Sequence, residues 1–109
     1  MTTSQPPETH PVVIVYWRDM PAQVIVGKGR QAAKVQLPER FEQAIDRAAM
    51  KAGARDTDSY LAEWRKGDAR DVAGEPAQVA AAEAARLEAA YDDARLRELI
   101  ANHGWNDPR

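Results

Sequence analysis

The stretch most suggestive of chemistry is Gly27-Lys28-Gly29-Arg30, two cations flanked by glycines directly after an apolar run. Backbone amides and cations at such a turn can hold an anion. A phosphate-binding loop, however, needs Gly-x-x-x-x-Gly-Lys-Ser/Thr between a strand and a helix, with the hydroxyl on magnesium. Here the spacing differs, no Ser or Thr follows, and the next segment reads as a strand. Lys28 and Arg30 are therefore candidate anion or partner contacts on what reads most simply as a hairpin turn.

Asp19, Glu39, Glu42, Asp46, Glu63, Asp92 and Asp93 could in principle transfer protons, but none falls in a catalytic motif. Asp92 and Asp93 instead match Arg95 and Arg97 at helical i+3 and i+4 spacing, as surface ion pairs do. His10 and His103 lie near opposite ends of the chain, neither with a second ligand at metal spacing. Cysteine is absent, which removes disulfides, thiolate nucleophiles and thiolate-held iron–sulfur clusters together. There is no nucleophile elbow and no oxyanion motif. The expectation is a non-enzymatic protein with no catalytic, cofactor-binding or metal-ligating residues and no cofactor.

The elements that would position any binding residues can be read from the pattern. A chain of 109 residues suits one compact domain. Its net charge of −2 hides an asymmetry: residues 1–55 hold eight Lys/Arg against five Asp/Glu, and residues 56–109 seven against twelve. That polarity can steer a partner, but it is not the basic domain of a general nucleic-acid binder. The apolar run Val12–Trp17 has six residues, far short of the ~20 that span a bilayer, and no signal peptide precedes it. A cytoplasmic protein with no membrane partner is expected.

Residues 1–10, with Pro6-Pro7 and nothing apolar to bury, read as a disordered leader. Val12–Trp17 is apolar on both alternating faces, as in a strand that is central or covered on both sides. Gln23–Val26 forms the second strand, and Ala33, Val35 and Leu37 alternate as a third. Short loops make this a three-stranded antiparallel meander. Leu37-Pro38-Glu39-Arg40 opens a helix whose buried face holds Phe41, Ile45, Ala48, Ala49 and Ala52, ended by Gly53. Asp56, Thr57 and Asp58 can cap a second, shorter helix bearing Tyr60, Leu61 and Trp64.

Residues 67–76 read as a linker, and Pro76 starts one long C-terminal helix to about residue 102. The fold class is thus α+β: the meander, two short helices and one long helix, in a single domain over 11–105 with a tail at 106–109. Val13, Ile14, Val15, Trp17, Val24, Val26, Val35, Leu37, Phe41, Ile45, Leu61 and Trp64 should form its core. On the long helix Ala80, Ala84, Leu87, Tyr91 and Ala94 make one stripe, while Leu96, Leu99 and Ile100 point the other way at 100° per residue. Either the helix bends near Asp92-Asp93 or the second stripe waits for a partner. Leu96, Leu99, Ile100 and the tail residue Trp105 are accordingly the candidate protein-interaction surface; Trp105 folds back over the domain or anchors that partner.

Lys34 to Ile45, then Gly53 and the capped helix, also resemble a ribbon-helix-helix unit, in which Lys34 and Gln36 would face bases. The wider resemblance runs over about residues 11–105. Its residues are Val13–Arg30, the helix Pro38–Ala49, and Asp56-Thr57-Asp58-Ser59-Tyr60-Leu61-Ala62-Glu63-Trp64. Together they look like the small bacterial "virulence factor" domain family. That resemblance implies an accessory domain in the neighbourhood of iron–sulfur or one-carbon metabolism, and the spare apolar stripe with no catalytic grouping adds the expectation of a protein partner. The alternative it leaves is a ribbon-helix-helix-like DNA-binding regulator.

Overall fold

The computed structural model describes residues 8–54 and 56–108. Thr9–Trp17 (β1) and Met20–Val26 (β2) form a hairpin turned by Arg18-Asp19, with Arg18 at φ 54. A short 3-10 turn, Gly29–Gln31, leads to Ala33–Gln36 (β3), which pairs antiparallel with β2. The expected meander is therefore present, but the sheet has five strands. Trp64–Lys66 (β4) and Arg70–Ala73 (β5) lie one after the other along the second edge of β1. Gly67 joins them, its amide donating to the Ile14 carbonyl at 2.8 Å.

This placement explains why β1 is apolar on both faces: it is the central strand. It also corrects two expectations. Arg70–Ala73 is a strand and not a linker, because β1's backbone groups need partners on that edge and supply order that its polar side chains do not advertise. Thr9 and His10 belong to β1, opposite Ala73 and Val72; of the rest of the proposed leader, Glu8 is exposed just before the strand and residues 1–7 lie outside the described residues.

Glu39–Ala52 (α1) buries Phe41, Ala44, Ile45, Ala48 and Ala49, and ends on Gly53 at φ 80, a left-handed conformation glycine adopts without penalty. Thr57–Ala62 (α2) is capped by the Asp56 carboxylate, which accepts from the Ser59 amide at 2.6 Å. Tyr60 turns inward and stacks on Trp17 at 6.0 Å. Leu61, one residue on, is 56% exposed and so leaves the expected core. Val13 and Val15 are only partly buried, while Val12, Trp17, Val24, Val26, Leu37, Phe41 and Ile45 are fully so.

The long C-terminal helix is two helices, Pro76–Ala90 (α3) and Asp93–Ala101 (α4). Two devices make the break. The Arg40 guanidinium of α1 donates to the Tyr91 and Glu88 carbonyls, the second at 2.8 Å, capping the open end of α3. The Asp92 carboxylate accepts from the Arg95 amide at 2.8 Å, starting α4 afresh. The turn brings both apolar stripes inward: Leu87, Leu96 and Leu99 join one core with Phe41 and Ile45. Leu96 and Leu99 are therefore not exposed on a waiting surface, and that part of the candidate interaction face is corrected.

Glu83 is the one buried charged side chain among the described residues. Its carboxylate accepts from Arg70 of β5 at 2.6 Å and from Arg86 one turn along α3. The Arg86 hydrogen bond, with the charges of both arginines, holds its carboxyl below the usual range against the opposing effect of burial. A carboxyl whose pKa is lower folded than unfolded stabilises above its unfolded value, about 4.3, and that contribution fades as pH falls through the folded pKa.

Two expectations follow for stability. Leu99 is 0% exposed, so Leu99→Glu should unfold the isolated chain, seen as loss of a cooperative urea transition, since a charge would enter the core unpaired. Glu83→Gln should cost about 1–3 kcal/mol near neutral pH. Urea midpoints taken across pH should show that difference shrinking once the wild-type carboxylate is protonated in acid.

Candidate functional site

The sequence-predicted residues do not converge. Lys28 and Arg30 stand exposed at the β2–β3 turn, without a hydrogen-bond or ion-pair partner among the described residues. Ile100 is half-buried and packs against the core beside buried Leu96 and Leu99. Trp105 folds back: its ring lies 5.1 Å from the Arg18 guanidinium, which also covers Trp17 at 4.9 Å. The tail up to Asn106 is tied to the β1–β2 turn, with the Asp19 amide donating to the Gly104 carbonyl at 2.9 Å and the Asn106 amide to the Asp19 carboxylate at 2.8 Å.

The surface that does present apolar material lies at the other end of α1. Met50 is 70% exposed, the most exposed large apolar residue among those described. It borders a groove of about 720 Å³ between the C-terminal half of α1 and the start of α2. Ala49 and Ala54 are its small apolar walls, Tyr60 contributes aromatic surface, and Thr57 lies at the α2 end. Both charges in the lining, Asp46 and Asp56, are negative.

The geometry follows from two caps. Gly53 stops α1 and reverses the chain, the Ala54 amide bonding back to the Ala49 carbonyl at 2.9 Å. Asp56 then starts α2 only three residues later. The hydrogen bonds from Ser59 hold its carboxyl below the usual range. The Tyr60 hydroxyl is raised, first by burial and then by the negative charge of Asp46. The Tyr60 shift fits a groove with apolar walls and a negative charge, whereas the Asp56 shift reflects only its cap hydrogen bonds. A methionine rim is adaptable, because the unbranched thioether repacks around differing shapes.

The sequence pattern does not mark this groove, because Met50 sits one position off the buried stripe of α1. A large apolar residue beside the buried face, three before the capping glycine, was the available signal. Of the three alternative caps in the sequence, Asp56, Thr57 and Asp58, the structure uses Asp56.

The fold and site define a class: a small α+β domain with a polar-edged sheet, a helical layer and an exposed apolar groove. Among the described residues no three His, Cys, Asp or Glu side chains are grouped so as to hold a metal ion. A family described as Virulence factor matches residues 15–100, and the chain belongs to that family. The match takes in β1 from Val15, all four other strands and α1 to α3, and ends within α4 at Ile100. No curated protein and no solved structure matches it. No described helix is long and apolar enough to cross a membrane.

The groove's own architecture can be tested without a ligand. Asp56→Ala should free the first turn of α2, so that amide exchange at Ser59 and Tyr60 accelerates while that of β1 and β2 is unchanged. Equal acceleration throughout would show that α2 unfolds only with the whole domain.

Proposed function

We propose that this virulence factor family domain is a non-enzymatic accessory module that binds a protein partner through the α1–α2 groove. The observation that carries the reading is Met50, 70% exposed on the rim of an otherwise ordinary amphipathic helix. Exposed large apolar side chains at a concave surface are the usual anchors of recognition. With Asp46 and Asp56 as the lining charges, the complementary partner is a segment bearing one apolar anchor flanked by Lys or Arg. The partner pursued first is a protein of iron–sulfur or one-carbon metabolism, as the resemblance implies, bound as a neighbour and not through a shared metal.

The DNA-binding alternative finds less support. A ribbon-helix-helix strand pairs only with its counterpart in a second chain, whereas Lys34 and Gln36 sit in the edge strand of an intrachain sheet, paired on one side with Ile25 and Gln23. The helices that would follow it are succeeded here by two further strands of the same sheet.

Retrieval from the native cell with the tagged chain tests the protein-binding reading. A partner retained by the wild type should be lost with Met50→Glu and with Asp46→Arg, each lowering affinity about tenfold, or about 1.4 kcal/mol. Both positions are exposed, so the variants should keep the wild-type urea midpoint. Partners retained equally by both variants would remove the groove from consideration.

A further inference from the structure

A second concavity, remote in its lining from the groove, carries a different chemistry. Val12, Ile14 and Tyr16 of β1 floor a cleft of about 330 Å³. Arg65 and Arg70 enter it from β4 and β5, and Arg86 from α3. Floor and rim are held in register by Gly67, where a Cβ would meet the Tyr16 ring at 2.9 Å. Any other residue there would push the ring off the floor.

The arginines are not equivalent. Arg65 is occupied: its Nε donates to the Arg18 carbonyl at 2.9 Å, its Nη2 to Asp19 at 3.1 Å, and its guanidinium lies over the Tyr16 ring at 4.6 Å. Arg70 commits only Nη2 to Glu83, and Arg86 commits Nε and Nη2. Arg70 Nε and Nη1, and Arg86 Nη1, have no hydrogen-bond partner among the described residues. Both side chains are about half exposed, while the Glu83 side chain between them is 7% exposed.

A buried carboxylate shared by two arginines is a poor way to gain stability, since desolvation offsets the attraction. It is an effective way to hold two like charges side by side with donors pointing outward. Arg70, Arg86 and Glu83 together retain one positive charge, Arg65 and Asp19 cancel, and exposed Asp68 on the rim brings the total to zero, so an anion would be held by the uncommitted N–H donors of Arg70 and Arg86 and a second negative charge would go unmatched. We propose that this cleft binds a small organic carboxylate, its anionic group on Arg70 and Arg86 and its apolar body on Val12, Ile14 and Tyr16.

Two-dimensional NMR titration of the full chain tests this with benzoate, benzamide and inorganic phosphate as probes. Benzoate should shift the amides of Gly67, Asp68 and Arg70 saturably, and benzamide, neutral but the same shape, should bind at least about tenfold more weakly. Arg70→Gln should lose a comparable factor with its spectrum otherwise preserved. Should that variant fail to fold, Arg70→Lys keeps the charge, removes the fork, and should still weaken benzoate binding. Shifts that do not saturate, equal binding of benzamide, unchanged affinity in the Arg70 variant that folds, or preferential binding of phosphate would each overturn the assignment. None of these outcomes bears on the α1–α2 groove.

Discussion

The arrangement depends on Trp17, the last residue of the central strand and wholly buried. Three separate parts of the chain are built against its ring. Its indole N–H donates to the Tyr60 carbonyl at 2.9 Å, fixing α2 to the sheet. Trp64 lies opposite it in β4 and meets Tyr60 edge-on at 5.9 Å. On the far side, Gly104 packs so close that a Cβ there would stand 2.8 Å from the ring. A buried tryptophan needs one polar partner and a large apolar enclosure. Here the partner comes from one segment and the enclosure from two others, so the hairpin, the middle of the chain and the tail close together.

Arg18 completes that closure at some local cost. It holds a left-handed backbone, which a non-glycine residue adopts against a penalty of about 1–2 kcal/mol. Compensation comes from both directions. The Arg18 amide donates to the Glu63 carbonyl at 3.1 Å, and its guanidinium donates to the His103 carbonyl at 2.8 Å while lying between the Trp17 and Trp105 rings. A two-residue turn twisted in this sense suits the right-handed twist of the paired strands. The same residue thereby turns the hairpin and fastens the tail.

These two contacts also decide where recognition can occur. With the tail folded against the β1–β2 turn and α4 folded into the core, the C-terminal apolar stripe is spent on the domain itself. Among the concavities left open on the described surface are the α1–α2 groove, apolar with acidic charge, and the arginine-walled cleft beside β1. The two differ in charge and in the elements that build them. Glu83 links the cleft to the core, because the side chain that fills an α3 position facing inward is also the one that bridges Arg70 and Arg86.

Local pattern was enough for much of this. The alternation of Val12–Trp17, the Ala33-Val35-Leu37 period, the Phe41-Ile45-Ala48 face, Gly53 and the Asp56 cap are short-range features, each expressed within a few residues, and each is present as read. Other features depended on contacts between distant residues. Arg70–Ala73 has little apolar pattern of its own and is a strand because β1 had an open edge. The 76–102 run is helical by composition, and Arg40, about fifty residues earlier in the chain, helps break it by binding carbonyls that no local pattern marks for capture. Leu96 and Leu99 are buried because the helix turns between Ala90 and Asp93, the first of the two arrangements the pattern allows. Met50 and the three arginines of the cleft carry no motif, since a surface site is made by which side chains the closed fold leaves uncovered. Sequence determined the elements through local periodicity and capping; tertiary structure decided which edges were paired, where the helix turned, and which residues were left to bind.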